Sequence, residues 1–168
     1  MEDLQKAGFI HYSARSLILS VIAERGRPNT RDSMIAVANE LRSSHHPAYI
    51  IERLLERAQA AGGDSIIESV RTVGEVNALR SFAKHSSATC TLLAVDASLE
   101  VRYDRIVVRG SSTDKVSIEE FRRQEQGELV NDDPAKQNLS AVMALADHRI
   151  QNDGSRESLS VQVDRLLG

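Results

Sequence analysis

Apolar positions along the chain follow two rhythms, and their alternation sets the expected architecture. Short, nearly continuous apolar runs read as strands at Phe9–Ala14, around Ile66-Ile67, at Thr91–Val95 and at His148–Ile150. Stretches with apolar residues three and four apart read as helices between them. Arg15–Glu24 carries Leu17, Ile18, Val21 and Ile22, and Ser13 is placed to cap it. A second helix opens at Asn29 or Thr30 and shows Met34, Ile35, Val37, Ala38 and Leu41 on one face. A third, Ala48–Ala61, shows Ile50, Ile51, Leu54, Leu55 and Ala58 and stops at Gly62-Gly63. Val73–Lys84 turns Val76, Leu79 and Phe82 inward. Ser98–Arg109 puts Val101, Ile106 and Val107 on one side and Arg102, Arg105 and Arg109 on the other. A highly charged helix near Ser117–Glu128, a short one at Leu139–Ala146 and a closing one at Leu159–Leu167 complete the set. Residues 2–7 read as the end of a helix, stopped by Gly8.

Strands alternating with helices imply an α/β fold: a parallel sheet between two layers of helices, in one domain spanning residues 1–168. Such strands are covered on both faces, so Ile66-Ile67 and Thr91–Val95 are expected to be fully buried. Open α/β sheets bind ligands beyond the carboxyl ends of their strands. The stretch Gly62-Gly63-Asp64-Ser65-Ile66-Ile67-Glu68-Ser69-Val70-Arg71 therefore places Glu68 and Arg71 where a ligand sits. The competing reading makes these two an ordinary loop ion pair.

Composition narrows the function. A net charge of -3 argues against coating nucleic acid, and 4% aromatic residues with no Trp gives no base-stacking platform. Cys90 is the only cysteine, so no internal disulfide forms, and a buried, inert thiol is expected there. No apolar run approaches membrane-spanning length and the first residues lack the pattern of a secretion signal, which points to a cytoplasmic protein without a membrane partner. His45-His46-Pro47 has no Cys or His at ligand spacing and reads as a loop between helices. Asp132-Asp133 reads as a turn and cap. Glu119, Glu120, Arg122 and Arg123 read as a solvated helix face.

Cations collect near strand ends. Arg15 follows the first strand and Arg71 the second, while Arg105 and Arg109, four apart, share a face of the helix after the third. A planar guanidinium suits phosphate because it donates two parallel hydrogen bonds.

Several ordered segments resemble the P-loop nucleotide kinases, above all the dephospho-CoA kinase-like and adenylate kinase-like branch. They are His11-Tyr12-Ser13-Ala14-Arg15, Val37 to Arg42, Ile66 to Val76, Leu93-Ala94-Val95-Asp96, the Arg-x-x-Arg-Ile-x-x-Arg from Arg102, Asp133 to Leu139 and Ile150 to Gly154. The resemblance implies transfer of the γ-phosphoryl group of ATP·Mg²⁺ to a nucleotide or CoA-type acceptor. It puts Ser13, Arg15 and Arg71 on the acceptor, with Arg71 clamping its phosphate, and makes Glu68 the carboxylate that holds Mg²⁺ through water. It gives Arg105 and Arg109, at the base of a lid spanning about 110–137, the task of closing on the transferring group.

The family's G-x-x-x-x-G-K-[ST] loop, which cradles the donor phosphates, does not occur in the chain. The corresponding strand, loop and first helix would precede residue 2, a start roughly twenty residues late. Donor binding and catalysis by this chain alone are then expected to be weak or absent. An alternative follows, a non-catalytic nucleotide-binding or assembly module, with self-association through the place left by the central strand.

Overall fold

The computed structural model describes residues 2–110 and 116–167. The elements are α1 (Glu2–Lys6), β1 (Ile10–Ser13), α2 (Ala14–Glu24), α3 (Arg31–Ser44), α4 (Tyr49–Ala61), β2 (Ser65–Glu68), α5 (Val73–His85), β3 (Leu93–Asp96), α6 (Leu99–Arg109), α7 (Ile118–Leu129), α8 (Leu139–Ala144), β4 (His148–Gln151) and α9 (Arg156–Leu167). The class is α/β with parallel strands. The strands form two separate pairs, β1 beside β2 and β3 beside β4.

Local chemistry explains most boundaries. Gly8 takes φ +97 after α1, a conformation that a Cβ would oppose. Ser13, Thr30, Thr72, Ser98 and Ser117 each cap a helix by accepting a backbone N–H three residues on. The core gathers Leu17, Ile22, Val37, Leu41, Ile50, Ile51 and Leu54 from α2, α3 and α4, with Tyr12, Ile67 and Val70 packed against it. α4 lies against both β1 and β2, so its apolar stripe holds that strand pair in place.

Three expectations need correction. Ile66, Ile67 and the rest of β2 are only half-buried, and Val95 of β3 is 52% exposed, because a two-stranded sheet leaves much of each strand uncovered. β3 starts at Leu93, leaving Thr91 and Leu92 outside it. There Leu92 N–H donates to an Asp147 side-chain oxygen at 2.7 Å and not to a strand. Val107 is 55% exposed, so the inner face of α6 is narrower than the apolar spacing implied, with Ile106 its buried residue. The turn expected at 110–114 lies, beyond Gly110, outside the described residues, as does part of the proposed lid.

Candidate functional site

The parallel register sets Ser13 directly opposite Glu68 at the carboxyl ends of β1 and β2. The Ser13 hydroxyl donates to Glu68 Oε1 at 2.6 Å while its oxygen accepts Ser16 N–H at 3.2 Å. His11 Nε2 lies 3.4 Å from Glu68 Oε2, an ion-pairing distance, but is not aligned for a hydrogen bond and is buried without another partner. Arg15 is half-buried and is the second residue of α2, two positions after Ser13.

Beyond Glu68 the chain turns sharply. Ser69 adopts φ +66, unusual for a residue with a Cβ. The turn delivers Arg71, whose backbone N–H is held by Glu75 Oε2 at 2.6 Å and whose carbonyl accepts Asn138 N–H at 2.9 Å. Glu75 is fully buried. Its second oxygen accepts from Arg42 Nε at 2.9 Å, and Arg42 is 2% exposed. The same carboxylate accepts Thr72 N–H at 3.1 Å while the Thr72 hydroxyl accepts Glu75 N–H, closing a capping box. The backbone at Arg71 is therefore fixed by a buried ion pair that the sequence reading passed over. Its visible signal is Thr72-Val-Gly-Glu75, the spacing of a capping box.

Glu68 and Arg71 do not form the loop ion pair considered above. Arg71 Nη1 instead lies 3.4 Å from Glu128 Oε2 of α7, and Glu128 Oε1 accepts from Arg31 Nη2 at 3.1 Å. Arg31 also sits over the Phe121 ring, 5.2 Å from its centroid. Nothing local in the sequence announces this carboxylate, because 97 residues separate Arg31 from Glu128.

The cations of the second sheet have other work. Arg105 donates to Asn152 O at 2.7 Å and to Gly154 O at 3.1 Å, tying α6 to the turn after β4. In the same turn Asp153 accepts Ser98 N–H at 2.6 Å. That hydrogen bond, then one from Gln151, holds its carboxyl below the usual carboxylate range. Arg102 pairs with Asp96 and with Glu125 of α7 and donates to Ala97 O. Arg109 is exposed at the end of α6. Ser13, Glu68 and Arg71 thus share one corner with Arg15 close by, whereas Arg105 braces a different turn.

Cys90 is half-buried, and burial followed by the nearby Asp147 carboxylate pushes its thiol pKa up, so at neutral pH it stays protonated. Among the described residues no group of three or more His, Cys, Asp or Glu side chains is arranged to hold a metal ion. Both oxygens of Glu68 already face Ser13 and His11, so the residues present do not make a Mg²⁺ site by themselves. None of the described helices is long and apolar enough to cross a membrane.

No family model matches the chain. It is similar to the UPF0200 protein TK1334 of Thermococcus kodakarensis, 24% identical over 170 residues that cover 99% of this chain and 88% of the relative. A UPF0200 protein of Hyperthermus butylicus is 29% identical over 158 residues, 93% of this chain and 78% of that protein. A UPF0200/UPF0201 protein of Archaeoglobus fulgidus is 28% identical over 148 residues; these cover 86% of this chain and only 43% of the relative.

Proposed function

We propose that the chain is the acceptor-binding part of an ATP-dependent phosphotransferase related to the P-loop nucleotide kinases, with a nucleotide or dephospho-CoA-like molecule as acceptor. The observation that carries this reading is the corner where Ser13 and Glu68 face each other at adjacent strand ends, with Arg71 fixed three residues further on. Hydroxyl and carboxylate meet there, the Arg71 guanidinium turns from the same loop toward Glu128, and groups of these three kinds suit a phosphorylated, hydroxyl-bearing metabolite. Arg15 supports the same corner; Arg109 remains assigned to the transferring group. Arg105, engaged with two carbonyl oxygens, would have to leave them to join it.

No step is assigned to ATP·Mg²⁺ on this chain. The 168 residues hold no G-x-x-x-x-G-K-[ST], and the described strands pair as β1–β2 and β3–β4 with no ladder joining the two pairs. The same two facts favour a second reading, a nucleotide-binding module without catalysis that accepts a strand from another segment or copy.

Calorimetric titration separates these readings from a third in which the corner binds nothing. Adenosine monophosphate or dephospho-CoA should bind more tightly than ATP·Mg²⁺, and Arg71→Ala should weaken binding at least tenfold, about 1.4 kcal/mol. Tight ATP·Mg²⁺ binding that Arg71→Ala leaves untouched would refute the proposal.

A further inference from the structure

We propose that Glu128 is a built-in occupant of an anion site formed by Arg31 and Arg71, and that the phosphate group of an incoming phosphomonoester takes its place. The proposal deepens the reading of Arg71 as an anion-binding group and rests on it.

Arg31 and Arg71 come from different parts of the chain, the first turn of α3 and the loop after β2, and converge on one carboxylate. Glu128 is 7% exposed, and its two oxygens are divided between the two guanidinium groups. A buried carboxylate held by two arginines has the charge pattern of a bound oxyanion. Helix formation does not explain Arg31. A cation in the first turn opposes the helix dipole, and an acidic or neutral residue would serve α3 better.

A phosphomonoester carries about one and a half to two negative charges at neutral pH and three acceptor oxygens, against one charge and two oxygens on the carboxylate. Arg31 and Arg71 therefore gain by exchanging partners, provided that Glu128 has somewhere to go. It borders a cleft of about 360 Å³ between α3 and α7, where Arg123, Lys136 and Gln124 also line the wall. In that cleft the released carboxylate meets water and Lys136, beside Arg123, which Glu120 pairs, and across from the Asp32 carboxylate. The exchange loosens α7 at its carboxyl end, while Glu125, one turn earlier, keeps its hold on Arg102.

Inorganic phosphate is the probe. In titrations at low ionic strength, Glu128→Gln should bind phosphate about tenfold more tightly than the wild type, because the internal competitor has lost its charge. In the wild-type protein, saturating phosphate should speed amide hydrogen exchange across the carboxyl-terminal half of α7. Unchanged or weaker phosphate binding by Glu128→Gln overturns the exchange, and so does α7 exchange that phosphate leaves unaltered. Both are judged against Arg71→Ala. Loss of binding in that variant leaves the acceptor site standing when the exchange fails, whereas full binding removes the reading beneath it.

Discussion

Replacing Glu75 by glutamine tests whether the buried pair with Arg42 fixes the loop that carries Arg71. Glu75 is fully buried and accepts from one guanidinium and two backbone N–H groups, those of Arg71 and Thr72. Glutamine has nearly the same shape, but it leaves the Arg42 charge, 2% exposed and with one terminal nitrogen already unpartnered, without a counterion. Breaking a buried ion pair from one side costs about 3–5 kcal/mol. With a urea m-value of about 2 kcal/mol/M, the unfolding midpoint should fall by about 1.5–2.5 M. The double variant Arg42→Met/Glu75→Gln should recover part of that loss, since it removes the stranded charge as well. A midpoint lowered by less than about 0.5 M in Glu75→Gln, or a double variant as unstable as the sum of the singles, would refute the argument.

Two further outcomes concern the turn after β4. Arg105→Ala removes two hydrogen bonds to carbonyl oxygens from an exposed arginine, worth about 1 kcal/mol together, and should lower Tm by about 2–4 °C. An unchanged Tm with impaired nucleotide binding would instead place Arg105 at the ligand. Asp153 has a folded-state pKa below its unfolded one, so its contribution is complete above the unfolded value and fades as pH falls through the folded value. The stability gap between the wild type and Asp153→Asn should therefore shrink as pH falls through and below the ordinary carboxylate range, and a gap independent of pH contradicts this assignment.

Features set by short-range chemistry were legible in the sequence. Ser13 caps α2 and Gly8 ends α1, and α3 opens at Thr30, one of the two residues, Asn29 and Thr30, that the sequence offers, because each depends on atoms within a few residues. The four strand positions were legible too, although β3 began two residues late because Asp147 captures the backbone ahead of it. Burial was not legible. An apolar run shows that a strand can be covered, but how much of it is covered depends on how many strands pair, and here they pair only in twos. At the candidate site, the position of Glu68 and Arg71 beyond β2 follows from the rule for carboxyl ends, whereas the pairing of Ser13 with Glu68 depends on a strand register that the sequence does not state. Arg31 and Glu128 were not legible, since their meeting depends on how α7 lies across α3.

Glu125 and Glu128 lie one helical turn apart on α7, yet they hold arginines that follow different strand pairs, Arg102 after β3 and Arg71 after β2. A single rod thus ties the two strand pairs together, beside the bond from Asn138 N–H to Arg71 O and the contacts of Arg80 with Leu145 and Asp147. Its last turns are held on two sides, so a force applied at either strand pair reaches the other in part through acid–base contacts, since no shared sheet joins them.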